Sequence, residues 1–121
     1  MVAVLARDIG VRSFQDLQRL TRTADYIGGQ LASFGYDVTR QTFHYRDHSY
    51  DNLIAELNGT STTKRILVIG AHYDAFGEGP AADDNASGVA ALLELATGMV
   101  LRVRFVSLSH RWHWVKTSGL E

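Results

Sequence analysis

The sequence predicts an α/β fold, and three observations carry the prediction. A stretch with apolar residues at every third or fourth position ends at a glycine, and two alternating segments follow it. Beyond them an apolar run, a helical segment and a second apolar run succeed one another. Strand, crossover helix and strand in that order imply a parallel βαβ unit.

The first helix is expected from Phe14 to Phe34, where Phe14, Leu17, Leu20, Ala24, Ile27, Leu31 and Phe34 make one apolar stripe. Ser13 is the expected N-cap, with Asp16 three residues on as a weaker capping box, and Gly35 is suited to end the helix in a left-handed turn. Gly28 and Gly29 lower its propensity and suggest a kink or a close contact. From Tyr36 to Tyr45 the residues alternate in the manner of a strand, with Val38, Thr42 and Phe43. A polar bend at Arg46–Ser49 leads to a second strand, Asn52–Leu57, so this pair is expected to be antiparallel and at a sheet edge. Arg65–Ala71 is a continuous apolar run, which suits a central strand covered on both faces. A loop from Ala75 to Asn85 leads to a helix over Ala86–Met99 with Val89, Leu92, Leu93 and Ala96 on one face, then to a strand over Arg102–Leu108.

Composition narrows the functional classes. The 121 residues suffice for one domain, 45% are hydrophobic and 21% charged, and the net charge is -1. No field is built for nucleic acid or an anionic membrane. With no cysteine, any metal must be held by histidine and carboxylates. The start, Met1–Asp8, lacks the basic and long apolar regions of a secretory signal, and no stretch is long enough to span a membrane, so the chain as written is expected to be cytoplasmic. There is no Gly-x-Ser-x-Gly elbow, and Gly77-Glu-Gly-Pro80 lacks the Lys and Ser/Thr of a phosphate loop.

The chemistry concentrates in two loops. His72 lies just past the carboxyl end of the predicted parallel strand, where open α/β sheets place ligand sites. Asp84 stands at the entry to the next helix and returns to the same end of the sheet. Imidazole and carboxylate are both zinc ligands, and Asp74 is placed to hold the second ring nitrogen of His72. An Asp or Asn before a helix is commonly a cap. Asp83, Asp84 and Asn85 cannot all be that cap, which leaves metal binding open beside capping.

The segments Asn52-Leu-Ile-Ala-Glu-Leu-Asn-Gly59, Ile66-Leu-Val-Ile-Gly-Ala-His-Tyr-Asp-Ala75, Ala82-Asp-Asp-Asn-Ala-Ser-Gly-Val-Ala-Ala-Leu-Leu-Glu-Leu95 and Arg102-Val-Arg-Phe-Val106 closely resemble the co-catalytic di-zinc aminopeptidases, relatives of glutamate carboxypeptidase and glutaminyl cyclase. The helix end Leu31-Ala-Ser-Phe-Gly-Tyr-Asp-Val38 is similar too. The resemblance covers most of residues 5–109 and corresponds to the N-terminal half of the peptidase domain. It implies a three-layer sandwich with a mixed, centrally parallel sheet, here truncated, and a divergent tail over residues 110–121. It also implies two zinc ions per intact site, with His72 a ligand of one, Asp84 the carboxylate bridging both, Asp74 behind the histidine, and a cis peptide between Asp84 and Asn85. The implied activity is hydrolysis of N-terminal peptide bonds.

The pattern then breaks. The resemblance calls for a Glu-Glu pair, general base and zinc ligand, near Arg111 and Trp112. A guanidinium stays protonated and an indole offers no lone pair, so neither replaces a glutamate. The later ligands would lie beyond residue 121. His110 and His113 follow the same strand end, but paired surface or packing histidines are the far readier account, and His44 reads as a strand residue serving packing or solvent contact. Trp112 and Trp114 are expected to cover apolar surface. A chain with His72 and Asp84 alone is expected to hold zinc weakly and to hydrolyse poorly. The alternative is a non-catalytic, peptidase-like module for binding or assembly. An uncovered sheet edge after Leu108 further predicts self-association.

Overall fold

The computed structural model describes residues 1–57 and 67–98, together with the backbone pairing of 103–108. The predicted segments at Asn58–Ile66, Met99–Arg102 and from Ser109 onward, including His110, Arg111, Trp112, His113 and Trp114, lie outside the described residues.

A wide helical turn at Val4–Ile9 opens the chain and buries Leu5, Ala6 and Ile9. Residues 1–8 had no assigned element in the sequence, because six residues are too few to display a helical period. Helix α1 runs Leu17–Ser33 and buries Leu20, Ala24, Ile27 and Leu31, the stripe expected from the spacing. Its N-cap is Asp16, whose side chain accepts from Arg19 N at 3.1 Å. This corrects the expectation for Ser13, which is drawn into a parallel bridge with Ala75 and so is extended where the helix would begin. Gly35, at φ 89°, terminates α1, and Tyr36 N returns to Leu31 O at 3.2 Å. The helix continues through Gly28, where an added Cβ would meet Val38 at an ordinary 3.9 Å.

Strands β1 (Asp37–Tyr45) and β2 (His48–Leu57) pair antiparallel, from Asp37 opposite Glu56 to Tyr45 opposite His48. The two-residue turn between them puts Arg46 and Asp47 at positive φ, the twist a tight hairpin requires. Strand β3 (Leu67–His72), helix α2 (Ser87–Gly98) and strand β4 (Val103–Leu108) form the predicted βαβ unit, with β3 and β4 parallel from Leu67 opposite Val103 to His72 opposite Leu108. β4 also pairs antiparallel with β2, so the order is β1-β2-β4-β3.

The sheet is therefore mixed, with one parallel pair and two antiparallel pairs. The central position expected for the Arg65–Ala71 run is not what these strands adopt. β3 ends the described order, and its Leu67 and Val68 are 48% and 57% exposed. An apolar run encodes the coverage a strand can use, and the number of strands beside it decides how much it receives. α1 packs on β1 and β2, α2 packs on β3, and the helices touch each other, so the described residues form one helix layer against one sheet. A single cluster joins Leu5, Ile27, Leu31, Leu53, Val89 and Leu93 between the layers. Among the described residues no helix is long and apolar enough to cross a membrane.

Candidate metal centre

His72 is the last residue of β3, so its backbone is fixed by the parallel ladder while its ring projects from the strand end. Asp74 follows two residues later and is buried. Its Oδ1 lies 3.1 Å from His72 Nδ1, and its backbone oxygen lies 3.2 Å from the same nitrogen. The other face of the ring meets the second loop, with Asp84 Oδ1 3.2 Å from His72 Nε2. The structure thus brings together all three residues singled out in the sequence. His72 is one-fifth exposed at its side chain and Asp84 about half, so the cluster opens to solvent on the Asp84 side.

The second loop is shaped residue by residue. Ala81 takes a left-handed φ of 47°, and Asp84 and Asn85 leave helical geometry inside the turn Ala82–Ala86. The Asp84–Asn85 peptide is cis, as the resemblance implies. Asn85 does the capping: its Oδ1 accepts Gly88 N at 3.1 Å and its amide donates to His72 O at 3.4 Å. Asp84 is thereby left to face the ring, which divides the roles that capping and binding left open in the sequence.

Two participants gave no signal in the sequence. Tyr73, buried between His72 and Asp74, donates its hydroxyl to Asp51 O at 2.6 Å and ties the strand end to β2. Arg12 is 1% exposed, and its guanidinium donates to five backbone carbonyls. Burial lowers its pKa from the ordinary value, and the charge of Asp74 opposes that. A lone arginine in Gly10-Val-Arg-Ser13 carries no periodic or motif signal, so only the folded chain reveals it.

The donor pair suits zinc in kind, being one imidazole and one carboxylate with no thiolate. It also suits zinc in separation: ligands about 2.0–2.2 Å from one tetrahedral ion lie roughly 3.4 Å apart, close to the 3.2 Å seen here. A neutral ring that donates Nδ1–H to Asp74 turns its Nε2 lone pair toward Asp84. Among the described residues there is no group of three or more His, Asp or Glu able to hold a metal. The described residues therefore place one imidazole between two carboxylates, those of Asp74 and Asp84.

Comparison with known proteins bears on the family and the fold. Residues 52–108 match the profile of peptidase family M28. The uncharacterized protein YfbL of Escherichia coli is 37% identical over 103 residues, covering 78% of this chain and 31% of that protein. The probable lipoprotein aminopeptidase LpqL of Mycobacterium tuberculosis is 47% identical over 71 residues, covering 58% of this chain and 14% of that one. BSAP, a zinc aminopeptidase from Bacillus subtilis, shares the fold with a TM-score of 0.78 at 12% identity, over 88% of this chain and 59% of its own. The chain thus spans less than a third of the length of either curated relative. It is through residues 52–108, which hold His72, Asp84 and the helix after them, that this chain matches peptidase family M28.

Proposed function

We propose that this chain carries one half of a zinc aminopeptidase site, with His72 and Asp84 as metal ligands and Asp74 as the group that orients His72. The observation that carries the reading is the doubly faced imidazole, with Asp74 at 3.1 Å on one nitrogen and Asp84 at 3.2 Å on the other. In this reading Asp74 accepts Nδ1–H, which fixes the ring so that Nε2 is the nitrogen offered to a metal and makes it a stronger donor. Asp84 brings the negative charge and, from its more open position, is the carboxylate able to serve a second ion. Zinc bound there would supply Lewis acidity toward a peptide carbonyl and toward water. The substrate class is a peptide with a free N-terminus, as the name of LpqL suggests. The whole domain would extend the observed layer to a three-layer sandwich.

A second reading rests on a specific feature of the sequence. Arg111 and Trp112 stand where the resemblance calls for the base and a further ligand, and neither can accept a proton from water near neutrality. A chain that keeps the metal half-site without that base would bind peptide or partner with weak or no turnover. A second copy of this chain adding to the exposed edge of β3 is the assembly this reading favours.

Zinc content after loading and dialysis, measured beside Asp84→Ala, tests the central reading. Zinc retained by the parent and lost by the variant supports the half-site. Zinc absent from the parent, or indifferent to Asp84, overturns it.

A further inference from the structure

We propose that Arg12 is a positioning residue that sets the distance between the two metal-ligand loops before any ion binds. The inference rests on the half-site reading of His72 and Asp84.

Arg12 reaches both loops at once. Nε donates to Tyr73 O at 3.1 Å, between His72 and Asp74. Nη2 donates to Ala81 O at 2.9 Å and Nη1 to Pro80 O at 3.2 Å, at the root of the loop that presents Asp84. Nη1 also holds Leu5 O at 2.6 Å and Gly10 O at 3.0 Å, which anchors the fork to the N-terminal turn. The backbone joins in, since Ala75 N donates to Arg12 O at 2.9 Å beside the Ser13–Ala75 bridge.

The chemistry explains why arginine stands here. Carbonyls from three chain segments lie around one point, and a planar guanidinium fork reaches them together, with the two N–H groups of Nη1 shared among Leu5, Gly10 and Pro80. An ammonium would satisfy at most three. Ala81, held in a left-handed conformation that disfavours a side chain, is bonded directly by the fork. The charge of buried Asp74 lies near the guanidinium and offsets part of the cost of burying it. None of these bonds involves His72 or Asp84 themselves. Arg12 acts on their separation.

The test compares zinc dissociation constants, by chelator competition, for the parent, Arg12→Lys, Asp84→Ala and Ile27→Val. Ile27 is buried in α1, and its truncation lowers the melting temperature without touching either loop. Arg12→Lys, folded by its cooperative melt, is expected to bind zinc about 10- to 100-fold more weakly, while Ile27→Val keeps parental affinity. Parental affinity in folded Arg12→Lys overturns the positioning role and leaves the half-site standing if Asp84→Ala still loses zinc. A parent that binds no zinc overturns both. Should Arg12→Lys fail to fold, the parent decides by NMR of its arginine side chains. Slowly exchanging Arg12 N–H signals, unchanged on adding zinc, support positioning before binding. Signals that exchange freely with water in the metal-free chain overturn it.

Discussion

Asn85 and Gly88 are matched in shape as well as in bonding: the Asn85 carbonyl oxygen accepts Gly88 N at 3.1 Å, and a side chain at 88 would collide with the amide that does so. The same amide donates to His72 O, so the start of α2 and the end of β3 are joined through one residue. Gly88→Ala places a Cβ within 2.7 Å of Asn85 Cγ and must displace it. The expected cost is about 1–3 kcal/mol, read as a lower denaturation midpoint, with weaker zinc binding because Asp84 moves with its neighbour. An unchanged midpoint would show that Asn85 can turn aside freely.

Asp74→Asn keeps the size of the side chain and removes the charge that accepts Nδ1–H. If Asp74 orients the ring, zinc affinity falls about 10- to 100-fold in a variant that still melts cooperatively. Equal affinity in calorimetric titration would assign Asp74 to the Arg12 charge balance instead.

The helix caps can be separated experimentally. Asp16 accepts Arg19 N, whereas Ser13 Oγ accepts only the exposed Gln15 N at 3.3 Å. Asp16→Ala is expected to cost about 1 kcal/mol, and Ser13→Ala a few tenths at most, both measured by chemical denaturation. Reversed magnitudes would return the cap to Ser13.

Alkaline pH should weaken the fold. Burial raises the phenol pKa of Tyr26, Tyr36 and Tyr50; at Tyr50 the nearby Tyr45 adds to this and Arg46 opposes it. A phenol raised on folding stabilises fully below its unfolded value of about 10 and loses that contribution as pH climbs through the folded value. Stability is therefore expected to hold from neutrality to about pH 9 as far as these groups decide it, and to fall above about pH 10. Tyr36→Phe gives up the bond to Ala96 O and starts less stable, yet should show a shallower alkaline decline. A decline as steep as the parent's would remove Tyr36 from the account.

What the sequence determined by itself was local and periodic. The α1 stripe, the turn at Gly35, the β1–β2 hairpin and the β3-α2-β4 unit were legible because helix and strand repeats differ and glycine marks the turns. The neighbourhood of His72, Asp74 and Asp84 was legible because strand ends and helix starts meet in a βαβ unit. Tertiary structure alone decided the rest. It put β3 at the end of the described strand order, moved the cap of α1 from Ser13 to Asp16, and gave Asn85 the capping role while Asp84 faces the ring. It also buried Arg12 among carbonyls from residues 5 to 81. The reason is physical: periodicity records which face of an element is apolar, whereas a charge satisfied by distant backbone leaves no pattern along the chain.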